Sequence, residues 1–374
     1  MSINNNLNAE VDVVGLFFFY QQKLGKIDRM KFHFNKLKSA LLEPGISEHS
    51  IVKNLSLVSK GFTSDRKKIT DYVMDRSMVS AYTLFYLPSN MPKLDFVFDM
   101  LSDELKEDIK NSQVVDLGTG PGTFAFALDE YFDGNISVTG VDSSKLMVEQ
   151  ATKINSTLYK NERISFVNSY PESVIGETLL LGHSLNEMGL NSLMKIIGEY
   201  EPRNLIIIEP GTSDVFKIVV KLRTAMKDLG YSCAYPCANI SSPCPVAKKI
   251  EGGEEDWCHQ VLRMTHDSDF ERLSQIVKLD RKVMPLIAHV YTKTRSVDTH
   301  KARMIRFLRE TKFSFEWEVC IEREGALITA TFEILKKPLS KKEIKEMQKL
   351  SVGIDFEYTM IKELSERRFR VALT

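Results

Sequence analysis

The sequence predicts an α/β protein: a doubly wound, mostly parallel sheet, preceded by a helical region and interrupted by a Cys-rich insertion before the last strands. Three observations carry this. The run VVDLGTGPGT at 114–123 reads as a buried strand, then Gly118, Gly120 and Gly122 in a tight turn, then the apolar helix FAFALDEYF. From 111 to 230 short apolar runs alternate with helix-length segments, the pattern of strand, crossover helix and parallel strand. Four of the five cysteines then fall between 233 and 258, in a stretch with neither helical nor strand periodicity.

Residues 1–110 form an expected helical N-terminal region. VVGLFFFY at 13–20 is too short to span a bilayer and suits a core-facing helix. Apolar residues recur at helical spacing in MKFHFNKLKSALL, IVKNLSLVSKGF, TSDRKKITDYVMD and SMVSAYTLFYLP, with Thr63 and Asn90 as expected N-caps and Pro92 in a first turn. The core at 111–230 is expected to hold strands at 112–117, 136–142, 163–167, 178–182 and 204–209, and helices at 121–132, 143–156, 185–199 and 213–229. The Cys-rich insertion follows at 231–265. Residues 266–335 carry a helix at 268–279, a strand at 285–293 and a β-pair at 315–334, compatible with the last strands of the same sheet. A C-terminal extension, 336–374, contains a helix at 339–350.

Composition narrows the partners. Lys plus Arg and Asp plus Glu are 50 each, so no global field draws the chain to nucleic acid, and any such contact needs a local patch. The patch is 278–312, where ten Lys and Arg stand against three acids, with Tyr291, His300 and Phe307 interleaved. Arg295, Lys301, Arg303 and Arg306 are its candidate RNA contacts; a solvated helix face plus a strand is the alternative. The first residues contain acids and no Arg, so no targeting segment is expected; the absence of a long apolar run adds the expectation of no membrane span, and a cytoplasmic location and a monomer are further expectations.

Ligands of a doubly wound sheet gather at the carboxyl ends of its strands. Glycine at 118, 120 and 122 lets the backbone adopt φ > 0 and lets a ligand approach without meeting a Cβ. Asp116 ends the first strand and Asp142 the second, about twenty residues past the turn, where ribose recognition wants an acid. Asn168 follows the third strand, and His183, Ser184 and Asn186 the fourth; loop capping serves equally for these. Cys237, Cys244 and Cys258 with the distant Cys320 supply four thiolates, for tetrahedral zinc or a 4Fe-4S cluster. The gaps of six and thirteen residues depart from the close C-x₂₋₄-C pairs of zinc sites and favour a cluster; Cys233 and His259 keep a zinc site open.

DLGTGPGT resembles the first motif of class I S-adenosylmethionine-dependent methyltransferases, whose ligand is a cation without phosphate. That likeness implies S-adenosylmethionine held by Asp116, Gly118, Thr119, Gly120, Gly122, Asp142, Asn168 and His183, with Asn168 near the adenine and 183–186 facing a methyl acceptor. The larger combination is SAYTLFYLP, DLGTGPGT, EPGT, a helix with LR, then PC, PCP and DWCH. It is similar to the methyltransferase-like assembly factors of the mitochondrial small ribosomal subunit and their bacterial homologues, over roughly residues 55–335. The resemblance implies a 4Fe-4S cluster on Cys237, Cys244, Cys258 and Cys320, and engagement of small-subunit rRNA. Ala238 and Asn239 replace the family's Pro-His, and Gln260 its aromatic, changes beside the ligands rather than at them. HSLNEM stands where exocyclic-amine methyltransferases carry Asn-Pro-Pro-aromatic, and no cysteine follows the fourth strand, so neither catalytic residue nor acceptor is named. Methylation of rRNA, non-catalytic assembly or RNA binding, and a zinc-containing methyltransferase of another substrate are the three readings.

Overall fold

The computed structural model describes residues 31–64, 75–170, 178–237, 239–254, 257–294, 301–350 and 352–374. Its first sheet contains β1 (Gln113–Leu117), β2 (Ser137–Val141), β3 (Ile164–Val167), β4 (Thr178–Gly182), β5 (Asn204–Pro210), β6 (Ser232–Tyr235), β7 (Gln260–Arg263) and β8 (Val283–Thr292). The order is β3-β2-β1-β4-β5-β8-β6, with β7 also paired to β8. Strands β1 to β5 run parallel; β8 is antiparallel to β5, β6 and β7. Five neighbouring parallel strands whose order switches at β1, with β8 inserted antiparallel between β5 and the edge strand β6, is the class I methyltransferase topology.

The central strands bury both faces, as parallel strands between helical layers must. On β4, Leu180 joins one apolar core while Leu179 and Leu181 join the other; on β5, Ile206 and Ile208 oppose Leu205 and Ile207 in the same way. Each fully buried aliphatic contributes about 1.5–3 kcal/mol. One core receives the helices Arg76–Asn90, Pro92–Phe98, Thr123–Tyr131 and Ser268–Val277; the other receives Leu190–Tyr200 and Ser213–Asp228. Helix Arg76–Asn90 is buried over most of its length because helices surround it: Glu48–Ser64, Thr123–Tyr131, Lys145–Ile154, Pro92–Phe98 and Ser268–Val277 all pack against it. Among the described residues no helix is long and apolar enough to cross a membrane.

Four sequence expectations change. Asn90 ends a helix rather than capping one, and Met91 precedes the next; Asp75 is the cap of Arg76–Asn90, accepting from Met78 N at 2.7 Å, and Pro92 does sit at the first turn. Thr63 lies in the last turn of the helix Glu48–Ser64, and the run at 13–20 lies outside the described residues. The Cys-rich insertion is not irregular throughout: it holds β6, β7 and the helix Pro245–Glu251. Lastly, the 315–334 pair does not close the parallel sheet. It belongs to a second sheet of β9 (Ala302–Glu310), β10 (Ser314–Arg323), β11 (Ala326–Leu335), β12 (Asp355–Phe356), β13 (Tyr358–Ser365) and β14 (Arg368–Leu373), ordered β12-β9-β10-β11-β14-β13. This sheet has its own core around Trp317, Phe332 and Phe369.

Candidate cofactor turn and thiol centre

At the carboxyl end of β1 the chain turns through Gly118 (φ +70°), Gly120 (φ +55°) and Gly122 (φ +88°). The first two glycines answer different needs. A Cβ on Gly118 would lie 2.4 Å from the Cβ of Ser184, so that position is required by the close approach of the turn to the loop after β4. A Cβ on Gly120 would meet nothing within 4 Å, so its absence leaves open space at the turn. Asp116 is fully buried; its Oδ2 accepts from Thr119 Oγ1 at 2.7 Å, while its Oδ1 is buried with no partner among the described residues. Burial pushes its carboxyl up to about 7, with Asp142 adding to the rise against the Thr119 hydrogen bond. An unpaired buried acceptor beside an open backbone turn suits a ligand bringing hydrogen-bond donors or positive charge.

Asp142 spends both oxygens on backbone amides, Gly120 N at 2.8 Å and Ser144 N at 2.8 Å, so it shapes the turn and offers a ligand only its remaining lone pairs. Asn168 is exposed and donates to the Asp142 carbonyl at 3.0 Å, tying the ends of β2 and β3 together, which is the loop-capping role. His183 adopts φ +63°, and its Nε2 lies 2.9 Å from Lys93 Nζ. Lys93 is buried at the junction of two N-terminal helices, and burial lowers its ammonium to about 7. Burial, with Lys93 and Arg281, also holds the His183 ring well below its ordinary range. Glu209, at the end of β5, accepts from Leu185 N at 2.7 Å; its Oε2 has no partner among the described residues, and burial raises it to about 8. Sequence reasoning missed Lys93 and Glu209. Glu209 could have been found, since an acid closing a strand had already singled out Asp142, whereas nothing local marks Lys93 as buried.

The cysteines gather at the other core. Cys237 and Cys244 flank the loop after β6, Cys258 precedes β7, and Cys320 comes from β10 of the second sheet. All four pack in one cluster with Trp257 and Ile305. Burial pushes the thiols of Cys244, Cys258 and Cys320 up, and Cys237 adds to each rise; the Cys237 thiol itself is drawn down by its hydrogen bond with Cys233 and by Arg223 and Arg303. Arg223 donates to the carbonyls of Asn239 at 2.6 Å and Ser242 at 2.7 Å, while Arg303 Nε lies 3.4 Å from Cys258 Sγ. Four thiols facing two buried guanidiniums form a donor set that fits an anionic metal–thiolate group. His259 makes its ring contact with the carbonyl of Trp257 at 3.1 Å.

The basic segment is corrected. Arg303 is buried and paired with Asp355 at 2.8 Å, which leaves it no RNA surface. Tyr291 is fully buried against His289, with 2.9 Å between hydroxyl and Nδ1. Arg306 pairs with Glu318 at 2.5 Å; Lys301 and Phe307 are exposed. Arg295 and His300 lie outside the described residues.

Residues 76–328 match the model of a family described as mitochondrial small ribosomal subunit Rsm22. The chain belongs to the Rsm22 family. Among curated proteins nothing matches it. Similar solved structures include a SAM-dependent methyltransferase from Geobacter sulfurreducens in complex with S-adenosyl-L-homocysteine, 15% identical, covering 52% of this Rsm22-family chain and 92% of that one, TM-score 0.29. Magnesium protoporphyrin IX methyltransferase from Synechocystis PCC 6803 is 12% identical, covering 64% and 99%, TM-score 0.34. A SAM-dependent methyltransferase from Aquifex aeolicus is 20% identical, covering 40% and 90%, TM-score 0.29. The fold of this Rsm22-family chain rests on its own strand order and register.

Proposed function

We propose that this Rsm22-family chain binds S-adenosylmethionine at the β1 turn, carries a 4Fe-4S cluster on Cys237, Cys244, Cys258 and Cys320, and acts on the small ribosomal subunit, in its assembly or in methylation of its rRNA. The observation that carries the cofactor is the unpaired, buried Oδ1 of Asp116 beside the open Gly120 turn. A sulfonium ligand with a free amino group supplies both donor and positive charge there. Such a cofactor delivers a methyl group to an oriented nucleophile; the chain's part is to hold and orient it. The cluster reading is supported by spacing. The gaps of six and thirteen residues between Cys237, Cys244 and Cys258 depart from the close pairs of structural zinc sites, and all four thiols pack in one cluster. The family description supports the ribosomal partner.

A specific observation favours a second reading, a cofactor-bound assembly factor without turnover. His183 Nε2, in the loop after β4 that the family resemblance turns toward an acceptor, is engaged by Lys93. Comparing rRNA methyl marks in cells carrying wild type and Asp116→Asn separates the two. A mark lost only in the variant supports catalysis, and identical marks with retained subunit co-sedimentation support the assembly factor. Wild-type chain that binds neither S-adenosylhomocysteine in calorimetry nor small subunits in sedimentation would sink both.

A further inference from the structure

The thiol region contains a second ligand set with different geometry. One ligand atom each from Cys233, Cys237 and His289 lies within 4.8 Å of the other two, the one such group among the described residues. A tetrahedral ion with Zn–S near 2.3 Å and Zn–N near 2.0 Å spaces its ligands by about 3.5–3.8 Å, so small side-chain rotations close this set. Cys233 and His289 are buried, 5% and 7% exposed, on the paired strands β6 and β8, and the packed sheet holds them. Cys237 lies just past β6. Arg223 stands beside Cys237 and Cys233, and Tyr291 holds His289 Nδ1.

We infer that Cys233, Cys237 and His289 form a site for a single zinc(II) ion, separate from the four-thiol set and sharing only Cys237 with it. Two thiolates and a neutral imidazole balance the ion's charge. Binding releases the two thiol protons to solvent, and a water completes the fourth position. Because one sulfur serves both sets, zinc and the larger group compete for Cys237; that clause rests on the cluster reading above, whereas the zinc site does not. The zinc alternative thus has a home, but with His289 and not His259.

The test uses the full chain, purified anaerobically with chelator. It is titrated with zinc, with cobalt(II) as a spectroscopic probe of thiolate ligation, and separately with iron and sulfide. One zinc per wild-type chain is expected. Cys233→Ser and His289→Asn should each weaken zinc at least ~100-fold, above the range for losing a supporting group, while iron and sulfide uptake stays unchanged and reports an intact fold. Cys244→Ser and Cys320→Ser should do the reverse. Zinc affinity untouched in Cys233→Ser or His289→Asn overturns the site, as does zinc loss of equal size in Cys320→Ser. Loss of iron uptake together with zinc in both Cys233→Ser and His289→Asn overturns the separation of the sets. Zinc on Cys233 and His289 in a chain that takes up no iron supports the site and sinks the cluster reading instead.

Discussion

At the residue scale, the two glycines and the acid of the β1 turn make separable predictions. Gly120→Ala forces an L-residue into left-handed backbone at a cost of about 1 kcal/mol and places its Cβ in the open space at the turn. Cofactor affinity is therefore expected to fall more than the melting temperature does, measured by calorimetry and thermal denaturation. Gly118→Ala adds a 2.4 Å clash with Ser184, and overpacking of about 1–3 kcal/mol should fall on the cofactor-free fold itself. Asp116 carries a pH signature. Its folded carboxyl, raised to about 7, binds a proton that the unfolded chain releases near pH 4. The stability it contributes is full below about pH 4 and is lost as pH rises through 7. Glu209 acts in the same direction, whereas the lowered Lys93 and His183 oppose it, so the clean measurement is a difference. Asp116→Asn should gain stability relative to wild type, by a few kcal/mol at most, as pH climbs from 4 to 8 without cofactor. A constant difference across that range would show that Asp116 is ionised throughout.

At the element scale, the segment from β9 to β12 was legible as charge and aromatic content but not as position. Arg303 looked like one more cation in a basic run. The antiparallel pairing of β9 with β12, which sets Arg303 opposite Asp355, turns it inward to bind Asp355 and approach Cys258. Removing one member of a buried pair strands the other, at about 3–5 kcal/mol. Arg303→Gln should therefore lower stability by that order in chemical denaturation and weaken metal retention. The salt dependence of subunit co-sedimentation should remain unchanged. Lys301→Glu, on the exposed side, should alter only the salt dependence. Strands β6 and β7 escaped the sequence for a related reason: each is four residues long, and what makes SCAY and QVLR strands is the edge offered by β8, which arrives later in the chain.

At the scale of the molecule, the thiol set joins two sheets with separate cores. Cys237, Cys244 and Cys258 belong to the insertion beside the first sheet and Cys320 to the second, and the contact is reinforced by Lys249 with Glu318, Asn239 with Glu322, and Ser242 Oγ accepting from Leu327 N at 2.8 Å. A group ligated by all four cysteines would couple the sheets. Calorimetry should show one cooperative unfolding transition in the metal-loaded chain and two in Cys320→Ser. A single transition in both would mean that the protein contacts alone suffice. What the sequence by itself determined here is whatever local chemistry dictates. The strand–glycine–helix turn follows from φ > 0 demands, the parallel core from apolar alternation, and the thiol donor set from residue identity. Only the tertiary structure decided which cations face inward, that 315–334 builds a second sheet, that Lys93 meets His183, and that Cys233 meets His289. Each of those depends on contacts between residues distant in the chain, which no local pattern encodes.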